Sequence, residues 1–519
     1  MKNIYRFTGI LIAIMMLVSP VFAASIPNQW PSAGNTLSNT RFQNNTSLSV
    51  QKAANLQVQW QFTTGGDVSA TPSVDVNNVY FPDWGGNFFA VNRATGLQVW
   101  SHKVSDYTGI AGDIARDTPA IYGDTLIFGD QAGYHGSGTA YVVAVEKNTG
   151  ALLWRTAVGS VFTIITQSAV VDNGTAYIGL ASSEEAFEGF IPGYPCCSFR
   201  GAVIALDAAT GVIKWQTYTA PAGYSGNSVW GSTPVVDKKR NSLYVTTGNN
   251  YSIPASAQNC VAAAGNDAAA VQACMAPDNY FDSILSLDLN TGAVKWSKPA
   301  IAYDSFNLDC FPQLLPPGYV VNPSNCPSPA GPDYDFGQGA MLWRKNGTDF
   351  VGAGQKSGQF WALNPDTGKV LWMTQAVPGG VAGGLQWGSS TDGKNVYVAA
   401  ANSLHQPWVV NGVTITTAFW EALDAGTGAV VWQTADPAGG LDSAPVASIN
   451  GVVFGCSLDP HGNMYAMDSS NGHILWSHAS GGSCLSGAAI AGGNIYWGSG
   501  YSNFGSGTGN NQFFAFSVK

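Results

Sequence analysis

One short pattern that ends in tryptophan recurs along this 519-residue chain. In a clear copy it reads Ala94-Thr95-Gly96-Leu97-Gln98-Val99-Trp100, a Thr-Gly turn that leads into a short apolar run. The tryptophans that close such runs are Trp60, Trp100, Trp154, Trp215, Trp296, Trp372, Trp432 and Trp476. Self-similarity at intervals of this kind is typical of repeat architectures, in which each copy is one supersecondary unit.

Each copy contains period-two apolar runs separated by glycine-rich turns, as in Asn78 to Pro82 and Phe88 to Asn92. This pattern predicts β-strands, with glycine at the turn positions that need positive φ. A single four-stranded sheet cannot cover both of its faces, whereas a ring of sheets packs each sheet against two neighbours. The sequence therefore predicts an all-β fold, an eight-bladed β-propeller of four-stranded antiparallel blades with tryptophans docked between blades.

Each end of the chain carries only part of the strand pattern of a blade. The apolar runs 494–497 and 512–516 follow Trp476 without a closing tryptophan, while Trp60 closes a run that lacks its own blade. We expect both ends to share the last blade.

The spacing between successive tryptophans is longest in the middle of the chain, where insertions run from Ser252 to Asp282 and from Asp304 to Gln338. Loops of this length usually carry function. The apolar residues expected at the rim of a site are Phe306, Phe311, Pro316, Pro317 and Tyr319.

The N-terminus has the features of a signal peptide. Lys2 and Arg6 flank an apolar stretch from Gly9 to Val18, and small residues end at Ala23. We expect cleavage after residues 1–23, export to the periplasm or beyond, and one propeller domain over 24–519. The apolar stretch is too short to span a bilayer comfortably and no cysteine follows it, so no membrane anchor is expected. A net charge of −10 argues against nucleic-acid binding.

Export makes the eight cysteines candidates for disulfides. Local pairing would join Cys260 to Cys274, Cys310 to Cys326 and Cys456 to Cys484. The adjacent residues Cys196 and Cys197 could then pair only with each other; the alternative is that cysteines bond elsewhere or stay free. Strained disulfides of this kind tend to be functional.

The sequence lacks a Cys-x-x-Cys-His haem motif, a Gly-x-Ser-x-Gly elbow and histidines at metal-ligand spacing. Polar residues instead gather where strands end. These stretches are Ser182-Ser183-Glu184-Glu185, Ser228-Val229-Trp230-Gly231, Thr247-Gly248-Asn249-Asn250, Asp333-Tyr334-Asp335 and Gln355-Lys356-Ser357-Gly358. Carboxylate and amide oxygens suit a hard cation such as Ca²⁺.

With these stretches and the Thr-Gly-x-x-x-Trp repeats, the chain resembles the pyrroloquinoline quinone (PQQ)-dependent alcohol dehydrogenases, eight-bladed quinoproteins. The Cys196-Cys197 pair and the Asp-Tyr-Asp-Phe-Gly stretch resemble the polyvinyl alcohol dehydrogenase-like members most. The resemblance implies oxidation of a secondary, diol or polymeric alcohol to the carbonyl compound. It also implies transfer of electrons to a separate soluble cytochrome c.

By this resemblance, Asp333 is the catalytic base and a metal ligand, and Lys356 is directed at the quinone oxygens. Trp230 is the platform for the quinone ring, and Arg116 and Thr166 hold the carboxylates of PQQ. A surface salt bridge is the alternative for Arg116.

The metal ligands implied are Glu184, with Glu185 as the rival, and Asn249, with Asn250 as the rival. Asp335 resembles an additional ligand of lanthanide-dependent members, or it caps a turn. Calcium is the expected ion, with a lanthanide as the alternative.

The resemblance implies that Cys196 and Cys197 cover the cofactor from another blade; the alternative is that they only stiffen a lid. In methanol dehydrogenases, however, adjacent cysteines precede the arginine of an early blade, and the stretch before Arg116 has none.

Two other classes of protein remain open. Related propellers serve as non-catalytic scaffolds or binding proteins of the bacterial envelope. A carbohydrate-binding lectin is a weaker alternative, because the blades carry no repeated polar site. A scaffold would have no reason to keep Glu184, Asn249, Asp333 and Lys356 together.

Overall fold

The computed structural model describes residues 26–518 apart from 27, 46, 137, 138, 161, 192, 312–317 and 505. Its strands form the eight blades of a β-propeller, which confirms the predicted fold. The predicted signal peptide, Pro316 and Pro317 lie outside the described residues.

Blades 1 to 7 each follow the order of the chain from the inner to the outer strand. Blade 1 comprises Ser73–Val74, Asn78–Pro82, Asn87–Asn92 and Gln98–Lys103, and blade 2 comprises Ala120–Tyr122, Thr125–Gly129, Ala140–Glu146 and Leu152–Val158. Blade 3 comprises Val170–Asp172, Thr175–Ser182, Ala202–Asp207 and Ile213–Tyr218, and blade 4 comprises Val235–Asp237, Ser242–Thr246, Ser283–Asp288 and Val294–Pro299. Blade 5 comprises Met341–Lys345, Thr348–Gly354, Gln359–Leu363 and Val370–Gln375, and blade 6 comprises Ser390–Thr391, Asn395–Ala400, Phe419–Asp424 and Val430–Ala435. Blade 7 comprises Ala447–Ile449, Val452–Cys456, Asn463–Asp468 and Ile474–Ala479.

Blade 8 joins the two ends of the chain, as predicted. Its inner three strands are Ala489–Ala491, Asn494–Gly498 and Gln512–Val518, and its outer strand is Leu56–Thr63. Leu56 is opposite Val518 in the antiparallel register. The ring is therefore closed by main-chain hydrogen bonds between residues from opposite ends of the sequence.

Short elements supplement the blades. The helices are Val50–Ala53, Val104–Thr108, Glu184–Phe187, Ala255–Ala264 and Ala268–Ala273, with 3₁₀ turns at Ala132–His135, Glu188–Phe190 and Leu308–Cys310. The additional strands are Phe42–Gln43, Thr163–Ile164, Ser225–Gly226, Asn250–Ser252, Trp408–Val410 and Val413–Ile415. Over the part of the chain that the structure describes, no helix has the length and apolar character to cross a membrane.

The outer strands alternate between exposed and covered residues, as in Ile213–Tyr218, but inner strands such as Asn78–Pro82 are buried along their whole length. The second and third strands are covered on both faces by neighbouring blades, so the burial of their side chains is not alternating.

Each blade docks on the next through its tryptophan. Trp154 Nε1 donates to the carbonyl oxygen of Ala208 at 3.1 Å, and Trp476 Nε1 donates to Leu56 at 2.9 Å, which extends the docking across the closure. The Thr-Gly turn of the next blade lies on the indole ring. A Cβ on Gly211 (φ 73°) would lie 2.4 Å from a ring carbon of Trp154, so glycine is needed for the close approach as well as for the turn.

Blade 5 departs from this pattern. Trp372 still packs against Gly428, but its Nε1 is buried without a hydrogen-bond partner. Trp343, on the inner strand of the same blade, instead donates to Ala425 of blade 6 at 2.9 Å. The interblade hydrogen bond is therefore kept by a different tryptophan.

The four predicted cysteine pairs are all disulfides: Cys196–Cys197, Cys260–Cys274, Cys310–Cys326 and Cys456–Cys484. Two of them lie within the long insertions, and Cys456–Cys484 connects blade 7 to the segment that precedes blade 8. The bonds thus brace the loops between strands as well as two neighbouring blades.

The segment from Trp30 to Gln43 runs along the inner strands of the ring. Its carbonyl groups accept hydrogen bonds from inner-strand amides of six blades: Val74, Ile121, Val236, Leu342, Thr391 and Ser448. This segment, called the channel segment below, ties blades to one another across the ring.

We expect Trp154→Phe to lower the free energy of unfolding by about 1 kcal/mol, because the ring still packs on Gly211 but the Ala208 carbonyl loses its indole donor. Urea denaturation measures the change. Trp372→Phe is the matched control, since the indole nitrogen of Trp372 donates no hydrogen bond. Equal losses in the two variants would show that the indole hydrogen bond contributes nothing.

Candidate functional site

A cavity of about 260 Å³ opens among the long loops on one face of the disc. Five of the predicted site residues line it: Arg116, Thr166, Trp230, Asp335 and Lys356. Five further aromatic residues contribute to its wall: Tyr134, Tyr251, Trp387, Tyr501 and Phe504. The structure thus gathers side chains from widely separated blades into one pocket.

The Asp-Tyr-Asp stretch is held rigidly beside this pocket. Asp335 accepts a hydrogen bond from the Asn249 amide at 2.6 Å on one oxygen and from Trp230 Nε1 at 3.0 Å on the other. Lys356 Nζ lies 2.9 Å from an oxygen of Asp333 and 3.2 Å from one of Asp335. One ammonium group therefore bridges both aspartates of the stretch.

Acidic groups outnumber basic ones at this end of the pocket. Burial raises the pKa of Asp333 well above its usual range, with Lys356 acting in the opposite direction. Burial together with Asp333 and Asp335 raises the pKa of Glu185, and the carboxylates raise the pKa of Lys356 despite its burial. A divalent cation among these groups would offset their mutual repulsion, so the donor set fits a hard metal ion.

The two adjacent glutamates, of which Glu184 is the predicted metal ligand and Glu185 the rival, have different environments. Glu184 is fully buried and points away from the pocket. Its carboxylate accepts hydrogen bonds from Tyr194 Oη at 2.6 Å, from the Ser198 amide at 2.8 Å and from the Phe199 amide at 2.7 Å. Glu185 lines the pocket. By position, Glu185 is therefore better placed than Glu184 for a cation in the pocket, and which of the two binds the metal stays a prediction.

The two adjacent asparagines separate in the same way. Asn250 is enclosed in a buried amide network with Asn227 and Asn279. The side-chain nitrogen of Asn249 donates to the carbonyls of Asn250 and Phe306, which fixes the amide group. Because the nitrogen is used in this way, the oxygen is the amide atom of Asn249 that is left for a cation, although Asn249 is buried beside the pocket and does not line it.

The cysteine pair does not line the pocket, contrary to the predicted cofactor contact. Cys196 Sγ lies 3.8 Å from Asn307 Nδ2, and both sulfurs lie within 4.8 Å of a Glu188 oxygen. The loop that carries the disulfide supplies the donors that surround Glu184. The pair therefore braces the support of the glutamates, and the cofactor role of Cys196 and Cys197 is not supported by their position.

Trp230 lines the pocket. Its ring meets Trp387 edge-on at a centroid distance of 5.2 Å, and Lys356 Nζ lies 5.5 Å from its ring centre. A Cβ on Gly337 would come within 2.8 Å of the Trp230 ring. Its orientation is thus fixed on several sides, as a platform for a planar ligand requires.

Arg116 lies in an aromatic cage. Its guanidinium carbon is 5.1 Å from the ring centre of Trp84, 5.2 Å from that of Trp387 and 5.8 Å from that of Phe504. Within the described ranges it forms no ion pair with a carboxylate. The alternative of a surface salt bridge is therefore not observed, and the guanidinium is suited to bind a ligand carboxylate.

Residues at the site that were not predicted include Trp387 and Asp304. Trp387 belongs to Gln386-Trp387-Gly388-Ser389, which repeats the Trp-Gly-Ser of Trp230, and that repeat would have been the signal. Asp304 accepts hydrogen bonds from the Asp333 and Tyr334 amides at 3.1 and 2.7 Å, but no motif identifies it.

The expected rim is also revised. Phe306 is only 5% exposed and belongs to the interior, not to the rim.

Comparison with known proteins adds four similarities. A family model described as outer membrane protein assembly factor BamB matches residues 31–182, 142–298 and 282–506. A polyvinylalcohol dehydrogenase of Sphingopyxis sp. (strain 113P3) is 30% identical over 544 residues, covering 95% of this chain and 76% of that protein.

Among solved structures, the quinohemoprotein alcohol dehydrogenase of Comamonas testosteroni has a TM-score of 0.68 at 18% identity, covering 96% of this chain and 81% of that chain. A europium-containing methanol dehydrogenase has a TM-score of 0.67 at 14% identity, covering 95% of this chain and 98% of that chain. These two likenesses show a shared fold.

We expect Glu185→Gln to weaken Ca²⁺ binding at least tenfold, measured by calorimetry, because a carboxylate that lines the pocket is lost. Glu184→Gln is the matched variant. It should keep its Ca²⁺ affinity but lower the melting temperature, because the Ser198 and Phe199 amides lose a charged acceptor. Loss of Ca²⁺ binding in Glu184→Gln alone would identify Glu184, and not Glu185, as the metal ligand.

Proposed function

The chain belongs to the PQQ-dependent alcohol dehydrogenase family, and we propose that it oxidises an alcohol to a carbonyl compound with bound PQQ and Ca²⁺. The observation that carries this proposal is the pocket that joins Trp230, Glu185, Asp335 and Lys356. It combines an aromatic platform, acidic oxygens and an ammonium group. Bound PQQ would supply the two-electron oxidant and bound Ca²⁺ the Lewis acid.

Each end of the pocket would bind a different part of these groups. Glu185, Asn249 and Asp333 would hold the cation. Trp230 would stack on the quinone ring, and Arg116 and Thr166 at the opposite end would bind carboxylates. Because Asp335 already accepts from Asn249 and Trp230, we propose calcium as the ion and a structural role for Asp335 beside it.

Asp333 is the proposed base. Its carboxylate would accept the hydroxyl proton of the alcohol as the carbon is oxidised. Lys356 lies 2.9 Å from this carboxylate and would keep it oriented, while the ammonium charge stabilises negative charge that develops nearby. The Asp304 carboxylate holds the backbone on which Asp333 stands.

The surroundings of the pocket favour a substrate with an apolar backbone. An aromatic rim of six residues starts at the cavity wall, and each ring centre lies within about 6 Å of the next. Its members in order are Trp84, Phe504, Tyr134, Phe187, Phe190 and Tyr319. Phe504 is 60% exposed and Phe190 is 43% exposed. We propose a secondary, diol or polymeric alcohol, such as the polyvinyl alcohol named for the Sphingopyxis relative.

Electrons must then pass to another protein. All eight cysteines are in disulfides within the described residues, and the sequence contains no covalent haem motif. We propose a separate soluble cytochrome c as the acceptor. Disulfides of this number fit the periplasm or the exterior of the cell, which we propose as the location.

A non-catalytic envelope scaffold is the second candidate, because the matching family model is described as an assembly factor. The scaffold proposal leaves the ion cluster of Asp333, Asp335 and Lys356 without a purpose, since burying charged groups is costly. We therefore favour the enzyme.

The test is reconstitution of the full chain with PQQ and Ca²⁺, followed by cofactor absorbance and dye reduction with polyvinyl alcohol, a short diol and a primary alcohol. We expect bound cofactor and turnover that is highest with the polymer or the diol. Asp333→Asn should keep the cofactor absorbance and lower kcat about 100-fold or more, as loss of a general base does.

Asp267→Asn is the control variant, because Asp267 is exposed and caps the helix Ala268–Ala273, a role that asparagine also fills. A chain that binds no PQQ and reduces no dye would leave the scaffold as the better account. Full turnover in Asp333→Asn would reject Asp333 as the base.

A further inference from the structure

Arg41 is a buried cation in the channel segment. The whole residue is only 2% exposed. The backbone is fixed on both sides, because the Arg41 amide donates to Gly34 at 3.0 Å and its carbonyl accepts from Ser448 at 2.9 Å. The guanidinium is therefore held inside the ring by the architecture.

The guanidinium has little to compensate its charge. Nη2 donates to the Trp387 carbonyl at 3.3 Å, and Nε is buried without a partner. Among the described residues no carboxylate lies within ion-pair distance of it. Burial lowers its pKa to about 10, so the group stays charged at neutral pH. An isolated buried charge is costly, which indicates that an anion complements it.

The approach to this guanidinium is shaped by glycine. A Cβ on Gly388 (φ 147°) would lie 2.4 Å from Arg41 Nε. Gly388 follows Trp387, which contributes to the cofactor pocket. The packing of Arg41 is thus built into the same Trp-Gly-Ser stretch that forms one wall of the site.

Arg41 borders a second cavity, of about 50 Å³, in the central channel. This cavity shares Arg116, Thr166 and Trp387 with the cofactor pocket, so the two cavities adjoin. Two arginines from different parts of the chain therefore border one small cavity.

Hydroxyl groups on the cavity wall are oriented as donors. Ser69 Oγ accepts from Trp84 Nε1 at 2.9 Å, and Ser168 Oγ accepts from the Thr118 amide at 2.8 Å. Each hydroxyl therefore keeps its hydrogen for another partner. Asp117 also borders the space, but one of its oxygens accepts from the Gly129 amide and burial raises its pKa well above the usual range. The wall thus offers donors and positive charge.

We propose that this cavity binds one small anion, held by Arg41 and Arg116 with the Ser69 and Ser168 hydroxyls as further donors. The chemistry is that of a halide or of a single carboxylate group. A free halide would be an independent ligand of the channel. A carboxylate of bound PQQ would enter the cavity from the adjoining cofactor pocket, and this second source rests on the proposed function.

Bromide distinguishes these sources without any need for turnover. We expect bromide to raise the melting temperature of the cofactor-free full chain in a saturable way, compared with gluconate at equal ionic strength. Arg41→Gln should abolish that increase. Arg93→Gln is the matched control, because Arg93 also ties the N-terminal region to the blades, through the carbonyls of Asn28, Asp75 and Ala491, but does not border the cavity.

The affinity for PQQ then identifies the source. If a cofactor carboxylate uses the site, bromide competes with PQQ and Arg41→Gln weakens PQQ binding about tenfold or more. If the anion is independent, bromide stabilises both the cofactor-free and the PQQ-loaded protein and leaves the PQQ affinity unchanged.

Anomalous diffraction from wild-type crystals soaked in bromide covers the case in which Arg41→Gln does not fold. A peak in the cavity beside Arg41 supports the proposal. The proposal is overturned if the wild-type chain shows neither a saturable bromide effect nor an anomalous peak, and if its PQQ binding is insensitive to bromide. Failure of PQQ binding alone would reject the proposed function and leave the halide arm intact.

Discussion

The contact between each tryptophan and the following blade is the interaction on which the rest of the molecule depends. The indole nitrogen donates to a carbonyl of the next blade, and the glycine of the Thr-Gly turn lies against the ring, as for Trp154, Ala208 and Gly211. Repetition of this contact fixes the rotation from one blade to the next. The ring then closes only because residues from both ends of the chain share blade 8. Trp343 shows that the hydrogen bond can pass to another indole when the geometry of a blade requires it.

Closure of the ring brings charges together that are far apart in sequence. Glu185 comes from blade 3, the Asp-Tyr-Asp stretch precedes blade 5, and Lys356 lies in a turn within blade 5. Their proximity is electrostatically costly without a cation, and the fold offsets that cost only in part with one ammonium group. Arg41 presents the opposite charge beside a second cavity that adjoins the pocket. The carboxylates of the pocket therefore suit a metal ion, while Arg41 and Arg116 beside the second cavity suit an anionic group.

Sequence periodicity was sufficient to predict the number of blades, their closure and the pairing of the cysteines, because these depend on local patterns and on short separations. It also identified the stretches that form the pocket. It could not decide between Glu184 and Glu185, because that choice depends on the loop of Cys196 and Cys197, whose amides enclose Glu184. The cysteines themselves were placed at the cofactor by analogy, whereas the insertion directs them behind the glutamates. Arg41 gave no signal at all, since only the folded ring shows that its guanidinium is enclosed.

In the proposed site, Glu185 and Asn249 hold a cation next to a cofactor stacked on Trp230. Anomalous diffraction at the lanthanum edge, from crystals loaded with PQQ and lanthanum, locates that cation. We expect a peak bonded to the Glu185 carboxylate and the Asn249 amide oxygen, with quinone density parallel to the Trp230 ring. A peak bonded to Glu184, or density for PQQ away from Trp230, would contradict this assignment.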